Sequence, residues 1–392
     1  MASTLIPVAP VVYAVTVNGV PVSDVILNVS LDMCWGMHDI AAMRIEYNRG
    51  EDMSSIVTWP SDALITMTWG QSSGALMTWY GYLNHYEMKS NAESGSHNLQ
   101  ITYYCIGTSY PMNTQQSYQW GNVTGTFVAK SMAKKYGFRC VVTSGAQIQN
   151  QLTQANMSDF QFMNYLAQKT GYRFWCSNGT LYFVDPAIYF MGGFNQNVST
   201  FQQDKSQLQQ DTMRDFTVLQ GNNLPGATVA NRVVYGIDGA TGNLISNSTG
   251  GSGPTIVNTT RSVTSIGEGQ QVINAWAGLS QFWIGASAEF FGDQGLYPGK
   301  IVYLDGNALP AGNIGYWVIS RTRHLLLMSG SPLATLDKYT TQVDILRNSG
   351  GPVPAYKNIV TVSPEIVSCV SNKGVWQASQ QTVIVDGIAN GA

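Results

Sequence analysis

Apolar and polar residues alternate through VVYAVTV, which is followed by Asn18-Gly19 and then VPVSDVILNVSL. A period of two interrupted by Asn-Gly predicts a β-hairpin, because both residues tolerate the positive φ of a tight turn. Further on, ALITMTW (63–69) is joined by GQSSG to ALMTWYGYL (75–83). The polar segment KSNAESGSH then leads to NLQITYYCIG (98–107). Short strands at this spacing predict a small barrel or sandwich over residues 1–110.

The period changes near Pro111. PMNTQQSYQWGN has no apolar alternation and reads as a loop. FVAKSMAKKYG (127–137) places Val128, Met132 and Tyr136 on one helical face, with Gly137 as its stop. A strand, FRCVV, follows. The plan recurs in SDFQFMNYLAQKTGYRFWCSNGTLYFVDP (158–186). Ser158 is placed to cap a helix and Asp159 favours its first turn. Phe162, Met163, Leu166 and Ala167 form a buried stripe, and Gly171 ends it. YRFWC and TLYFVD then pair across Ser177-Asn178-Gly179. Residues 111–210 are therefore expected to form an α+β unit inserted into a β-rich chain.

From 211 the period of two returns in DFTVLQ, ATVANRVVYGI, GASAEFF, KIVYLD, GYWVISRTRHLLL and YTTQVDIL, giving a second β domain over 211–350. DGATGNLISNSTGGSGP (238–254) is expected to be a mobile loop that tolerates insertion. GQQVINAWAGLSQFW (269–283) is expected to be a helix with Val272, Trp276, Leu279 and Trp283 on one face. Residues 351–392 have too few periodic positions for a domain and read as an extended arm that would bind a neighbouring subunit or the spike.

Composition sharpens this. Charged residues are only 11% of the chain, so the polar surface rests on Ser, Thr, Asn and Gln, which suits a protein packed against copies or partners. Net charge is −3 and the densest basic cluster is Lys130, Lys134 and Lys135. That is too little for tight nucleic-acid binding. The N-terminus lacks an early Lys or Arg and is broken by Pro7 and Pro10, which argues against a signal peptide and a spanning helix. No stable membrane insertion is expected.

The search for chemistry returns no catalytic, cofactor-binding or metal-binding residues. His38, His85, His97 and His324 show no metal-ligand spacing, and His324, alternating within a strand pattern, fits a structural role. Cys34, Cys105, Cys140, Cys176 and Cys369 form no CxxC and read as buried free thiols. There is no GxSxG elbow. A glycosidase needs two carboxylates a few ångströms apart. Glu51-Asp52, Glu87, Glu93 and Glu268 are the candidates, and solvated turn charge explains Glu51-Asp52 and Glu93 better.

Three segments together carry a resemblance. They are TFVAKSMAKKYGFRCVV with the 158–186 stretch, LITMTWG…GALMTWYGYLNHYEM…NLQITYYCIG, and AWAGLSQFW…GLYPGKIVYLDG…GYWVISRTRHLLL…YTTQVDIL. In order and character they resemble the baseplate hub proteins of tailed phages, among them late control protein D and the base of the type VI secretion spike. The resemblance implies a mixed, mainly β fold: two tube-type β-barrel domains with an inserted α+β domain, in a homotrimer forming a pseudo-six-fold ring. It implies a non-enzymatic symmetry adaptor between the six-fold tail tube and a three-fold spike, with a channel for genome ejection. Implied partners are the chain itself, the tail tube or distal tail protein, the spike or tail-tip protein, the tape-measure protein, and DNA only in transit. The implied place is the virion's tail tip or baseplate, after assembly in the host cytoplasm. No oligosaccharide-binding barrel or muramidase segment follows residue 350, which suggests a hub whose spike is a separate chain. A peptidoglycan-degrading tail enzyme and a carbohydrate-binding adhesin, the latter from ten Trp and twenty Tyr, are the competing readings.

Overall fold

A computed structural model describes residues 11–22, 26–47, 59–71, 76–91, 98–143, 149–185, 199–202, 213–219, 231–238, 241–258, 263, 265–281, 284–327, 338–347, 363–365 and 382–385. The first lobe contains β1 (Val11–Val17), β2 (Val20–Pro21), β3 (Ile26–Cys34), β4 (Ile40–Tyr47), β5 (Leu64–Gln71), β6 (Met77–Asn91) and β7 (Asn98–Gly107). Asn18 (φ 49°) and Gly19 (φ 80°) make the expected β1–β2 turn. The strands pair antiparallel in the order β3-β4-β7-β6-β5-β1-β2. One face is apolar, with Leu31, Met33, Met43, Ile45, Ile65, Trp79, Ile101 and Tyr103 nearly inaccessible to solvent. Gly81 is required by close approach: a Cβ there would lie 2.1 Å from the Trp79 ring.

The insert begins with β8 (Gln115–Val123), α1 (Gly125–Tyr136), β9 (Arg139–Thr143) and β10 (Gln149–Ser158). It continues with α2 (Asp159–Thr170), β11 (Arg173–Ser177) and β12 (Thr180–Val184). The capping box on α2 is complete: Gln161 N–H donates to Ser158 Oγ, and Ser158 N–H donates to Gln161 Oε1. Gly171 (φ 77°) ends α2 and Gly137 (φ 72°) ends α1, both left-handed. Phe162, Met163, Leu166 and Ala167 are buried, as their spacing requires. β11 and β12 pair across Asn178 (φ 49°) and Gly179 (φ 68°). The expected loop at PMNTQQSYQWGN is instead a short 3-10 turn, Tyr110–Asn113, followed by β8, which pairs with β10. β8 is mostly exposed, so backbone pairing rather than an apolar face orders it.

The second lobe holds β13 (Ser199–Gln202), β14 (Met213–Leu219), β15 (Asn231–Ile237), β16 (Leu244–Ser248) and β17 (Thr255–Asn258). After these come α3 (Ile266–Gln281), β18 (Ile284–Phe291), β19 (Ile301–Asp305), β20 (Gly315–Leu327) and β21 (Lys338–Arg347). Two short strands, β22 (Ser363–Glu365) and β23 (Thr382–Val385), lie in the tail, and β23 pairs in parallel with β9. The 238–254 segment is not wholly a loop, since β16 pairs with β15 and its Ile245 is buried beside Val234, Val272 and Ile273. The helix expected at 269–283 starts earlier, at Ile266; the side chains of Trp276 and Leu279, and residue Trp283, lie outside the described residues.

The two lobes repeat one plan. The first runs β3-β4-β7-β6-β5 and the second β14-β18-β21-β20-β19, with the same chain order. The irregularities repeat too. The β6–β7 register shifts between Leu83 and His85, and the β20–β21 register between Ile319 and Arg321. The β3–β4 register shifts between Ile26 and Asn28, and the β14–β18 register between Met213 and Asp215. Arg321 therefore corresponds to His85, His324 to Met88, and Asp344 to Tyr104. Beyond its pairing with β19, β20 continues and pairs residues Arg321–Leu327 with β3. That seam joins both lobes into one mainly β sheet of 13 strands.

Candidate functional site

The seam gathers a cluster of charged side chains, and alternation along the strands sorts its residues into two faces. On the open face Asp32 accepts from Arg321 Nε at 2.8 Å and from Arg321 NH2, a forked pair, and also from Arg323 NH2 at 3.1 Å. Burial pushes the Asp32 carboxyl up, but the two guanidinium groups outweigh it and hold it below the usual range. The same face continues to Asp344, which accepts from Ser287 Oγ at 2.9 Å. Glu289 accepts from Gln342 Nε2 at 3.1 Å and lies 3.1 Å from Arg214 NH1. Arg321, Arg323, Ser287, Asp344, Gln342 and Glu289 line a polar groove of about 300 Å³ in which acids and bases are set against one another.

The closed face holds His324, which is fully buried. The Leu296 carbonyl can only accept, so in the neutral ring Nδ1 is the acceptor and takes a hydrogen bond from the Tyr339 hydroxyl (2.9 Å), which itself accepts from Trp69 Nε1–H (3.1 Å). The imidazole therefore carries its proton on Nε2 and donates to the Leu296 carbonyl (3.1 Å). Burial lowers the His324 pKa to about 4, with the Leu296 hydrogen bond acting in the other direction. This relay links β5 of one lobe to β20 and β21 of the other, the structural role its alternation suggests.

The turn between β3 and β4 (residues 35–39) joins the seam to the insert. Trp35 N–H donates to Ser320 O, Gly36 N–H donates to Phe174 O at 2.7 Å, and Asn164 Nδ2 donates to Gly36 O. Trp175 stacks on Tyr182 at 4.5 Å and sits 6.0 Å from Trp35, whose ring also faces the Arg173 guanidinium at 5.2 Å. Val141, Val184, Ile301 and Val318 close this cluster. The aromatic hairpin is thus a packing element. Asp39, 1% exposed, accepts from Ser177 Oγ at 2.8 Å, and burial pushes its carboxyl up to about 7.

His38 lies 2.7 Å from Ser109 Oγ through Nδ1 and 2.9 Å from Asn113 Oδ1 through Nε2, an arrangement that sequence spacing did not reveal. It has the residue types of a nucleophile with its base. Ser109, however, is 0% exposed, and His38 is stacked on Phe160 at 3.7 Å, so no substrate carbonyl reaches the hydroxyl. Of the carboxylates weighed for glycosidase chemistry, Glu87 is exposed and accepts from Tyr104 Oη. Glu268 is 3% exposed and bound to Lys169 Nζ at 2.5 Å. Glu51, Asp52, Glu93, His97 and Cys369 lie outside the described residues. His85 is exposed and stacks on Tyr104. Cys105, Cys140 and Cys176 are buried free thiols, and Cys34 is half-buried. Among the described residues no group of His, Cys, Asp and Glu could hold a metal ion, and no helix is long and apolar enough to cross a membrane.

No protein-family model matches the chain, and no curated protein matches it. Solved structures do. A tail protein from Neisseria meningitidis is similar with a TM-score of 0.59 at 11% identity, over 86% of this chain and 97% of that one. The 43 kDa tail protein of prophage MuSo2 from Shewanella oneidensis gives 0.59 at 11% identity, over 86% and 99%. An Escherichia coli component of the type VI secretion system, described as similar in structure to the T4 tail proteins gp27 and gp5, gives 0.52 at 11% identity, over 90% and 83%. The chain has the mainly β fold of these phage tail and type VI spike-related proteins.

Proposed function

We propose that the chain is a structural component of a phage tail: a non-enzymatic hub at the tail tip or baseplate, assembled as a homotrimer in the host cytoplasm. Its barrel domains are taken as 1–110 and 211–350, its insert as 111–210, and its arm, 351–392, as a contact to a neighbouring subunit or the spike. The reading is carried by one observation: a tail-protein fold in which two like lobes share one sheet. Three copies would present six lobes to a six-fold tail tube or distal tail protein and three-fold symmetry to a separate spike or tip. The tape-measure protein is a further partner, and DNA would pass through only in transit.

The open face at the seam suits such a role. Its arginines are committed to Asp32 and Glu289, so a sliding polyanion meets little free positive charge. The purified protein is expected to form three-fold rings in negative-stain images, with a mass three times the 42.6 kDa of one chain. Clearing of purified cell wall by the isolated protein would instead favour a peptidoglycan-degrading enzyme, and binding to a glycan array would favour an adhesin.

A further inference from the structure

One ionisable side chain is sealed between the first lobe and the insert with no opposite charge beside it. Asp39, at the end of the turn between β3 and β4, is 1% exposed, and its Oδ2 accepts from Ser177 Oγ at 2.8 Å. Ser177 ends β11, so the contact crosses from lobe to insert. The acid cannot shift toward β7, because its carbonyl holds Gly107 N–H at 2.8 Å and a Cβ on Gly107 would lie 2.9 Å from the Asp39 Cβ. Beside it, Gly179 N–H of the insert donates to Thr108 Oγ1 at 2.9 Å, at a threonine that is 3% exposed. Two turns of the lobe thus grip the tip of the aromatic hairpin, and Asp39 is the acid within that grip.

We propose that the Asp39–Ser177 contact is a proton-operated latch between the first lobe and the insert, closed while the carboxyl is protonated and loosened once it ionises.

A neutral carboxyl is sealed at small cost, whereas a carboxylate with one hydroxyl donor and no cation gains by reaching water. The surrounding groups do not rescue the anion. From β3, Asp32 is an acid held by Arg321 and Arg323, and Cys34 is a thiol that burial keeps neutral. From β6, the Trp79 indole N–H faces the carboxyl without completing a hydrogen bond. From the insert, burial raises Cys176 and Tyr182, so both stay neutral. His38, on the same turn, has its two nitrogens on Ser109 and Asn113.

The direction of the response follows. Burial pushes the Asp39 pKa to about 7 from 3.8, Ser177 and Trp79 act against that rise, and Asp32 adds to it. The open form therefore ionises first. Opening grows as pH rises from about 4 to 7 and levels off above 7, with a gain of up to about 50-fold between pH 5 and 7. His38 and His324 act with the opposite sign, since burial lowers both and acid weakens their sites, so neither can imitate the latch. The latch rests on this packing and not on the hub reading.

The test is hydrogen exchange of the full chain at pH 5, 6 and 7, read by mass spectrometry and corrected for the intrinsic rate at each pH. Protection of the β11–β12 amides, 173–184, is expected to fall by up to about 50-fold over that range, while that of the β20–β21 seam does not. Asp39→Asn, similar in shape and neutral throughout, is expected to hold the hairpin's protection constant. A parent hairpin indifferent to pH, the same fall in Asp39→Asn, or an equal fall at the seam would overturn the latch. Should Asp39→Asn not fold, Ser177→Ala decides. It removes a donor that holds the carboxyl down, so the fall is expected to continue above pH 7, and a fall that still ends at pH 7 would count against the proposal.

Discussion

β6 and β20 are the same strand built twice, and the chain treats their outer halves differently. Beside β3, the β20 half has a hydrogen-bonded partner, a buried histidine relay on one face and a forked arginine pair on the other. Among the described residues no strand lies where β3 would be beside the β6 half, which carries His85 and Glu87 on the open face and Tyr86 and Met88 on the closed one. Burial accounts for the contrast in residue type. A ring as polar as imidazole is sealed at least cost when its hydrogen bonds are made, as those of His324 are. Met88 needs no such preparation, since a flexible thioether adapts to whatever covers it. The difference separates a seam closed within the chain from an edge that the described strands leave open. A second contrast lies at the counterpart loops. The first lobe joins β3 to β4 through residues 35–39, whereas the second places β15–β17 and α3 between β14 and β18.

The largest effect is expected from giving the seam its counterpart's residue. His324→Met removes the acceptor for Tyr339 and the donor to Leu296, at a cost of about 2–3 kcal/mol near pH 7. Acid dependence should change as well. The His324 pKa is about 4 when folded against 6.5 when free. The unfolded chain therefore binds the extra proton first, and stability falls as pH drops from 6.5 toward 4, by about 3 kcal/mol. The variant lacks this loss, so its unfolding free energy should converge on that of the parent on acidification. Parallel curves from urea titrations at pH 7 and pH 4.5 would mean that His324 is not the buried neutral group described.

A smaller effect is expected from the open face. Asp32 corresponds to Leu219 in the second lobe, and Asp32→Leu leaves Arg321 and Arg323 without their shared carboxylate. The three side chains are 26–42% exposed, so solvent screens the loss to about 1 kcal/mol despite the forked geometry. Most of that difference should vanish in 1 M salt. A salt-independent loss of several kcal/mol would show that the seam is held by charge rather than by backbone pairing and the closed face.

The strands themselves were legible because their apolar alternation is strong: VVYAVTV, NLQITYYCIG and GYWVISRTRHLLL have the boundaries their pattern suggests. So were α2 and its capping box, where Ser158 and Gly171 mark both ends. β8, β10 and β16 were not, because QQSYQWGNV, QNQLTQANMS and LISNS are held mainly by backbone pairing, and their composition is that of a loop. The residue-level repeat was hidden for another reason. Equivalent positions solve the same packing problem with unlike residues. The first lobe sets Trp79 two residues before Gly81, and the second sets Gly315 two residues before Trp317, large and small exchanged. The His38–Ser109–Asn113 and Asp39–Ser177 contacts join residues 71 to 138 positions apart, and nothing local marks them.

The smallest effect on the single chain tests the comparison from its other side. Met88→Ala removes a side chain that is 45% exposed, so unfolding of the isolated chain should change by less than about 0.5 kcal/mol. Leu326→Ala, whose position lies under the existing seam and is 2% exposed, should cost more although the same number of heavy atoms is lost, because its surroundings are closed and cannot refill. The two are best compared at concentrations low enough to keep the protein monomeric, by urea unfolding of each variant beside the parent. Losses equal within error would mean that the β6 edge is already covered within one chain. A Met88→Ala loss that grows with protein concentration, against a Leu326→Ala loss that does not, is expected if a second copy covers the β6 edge.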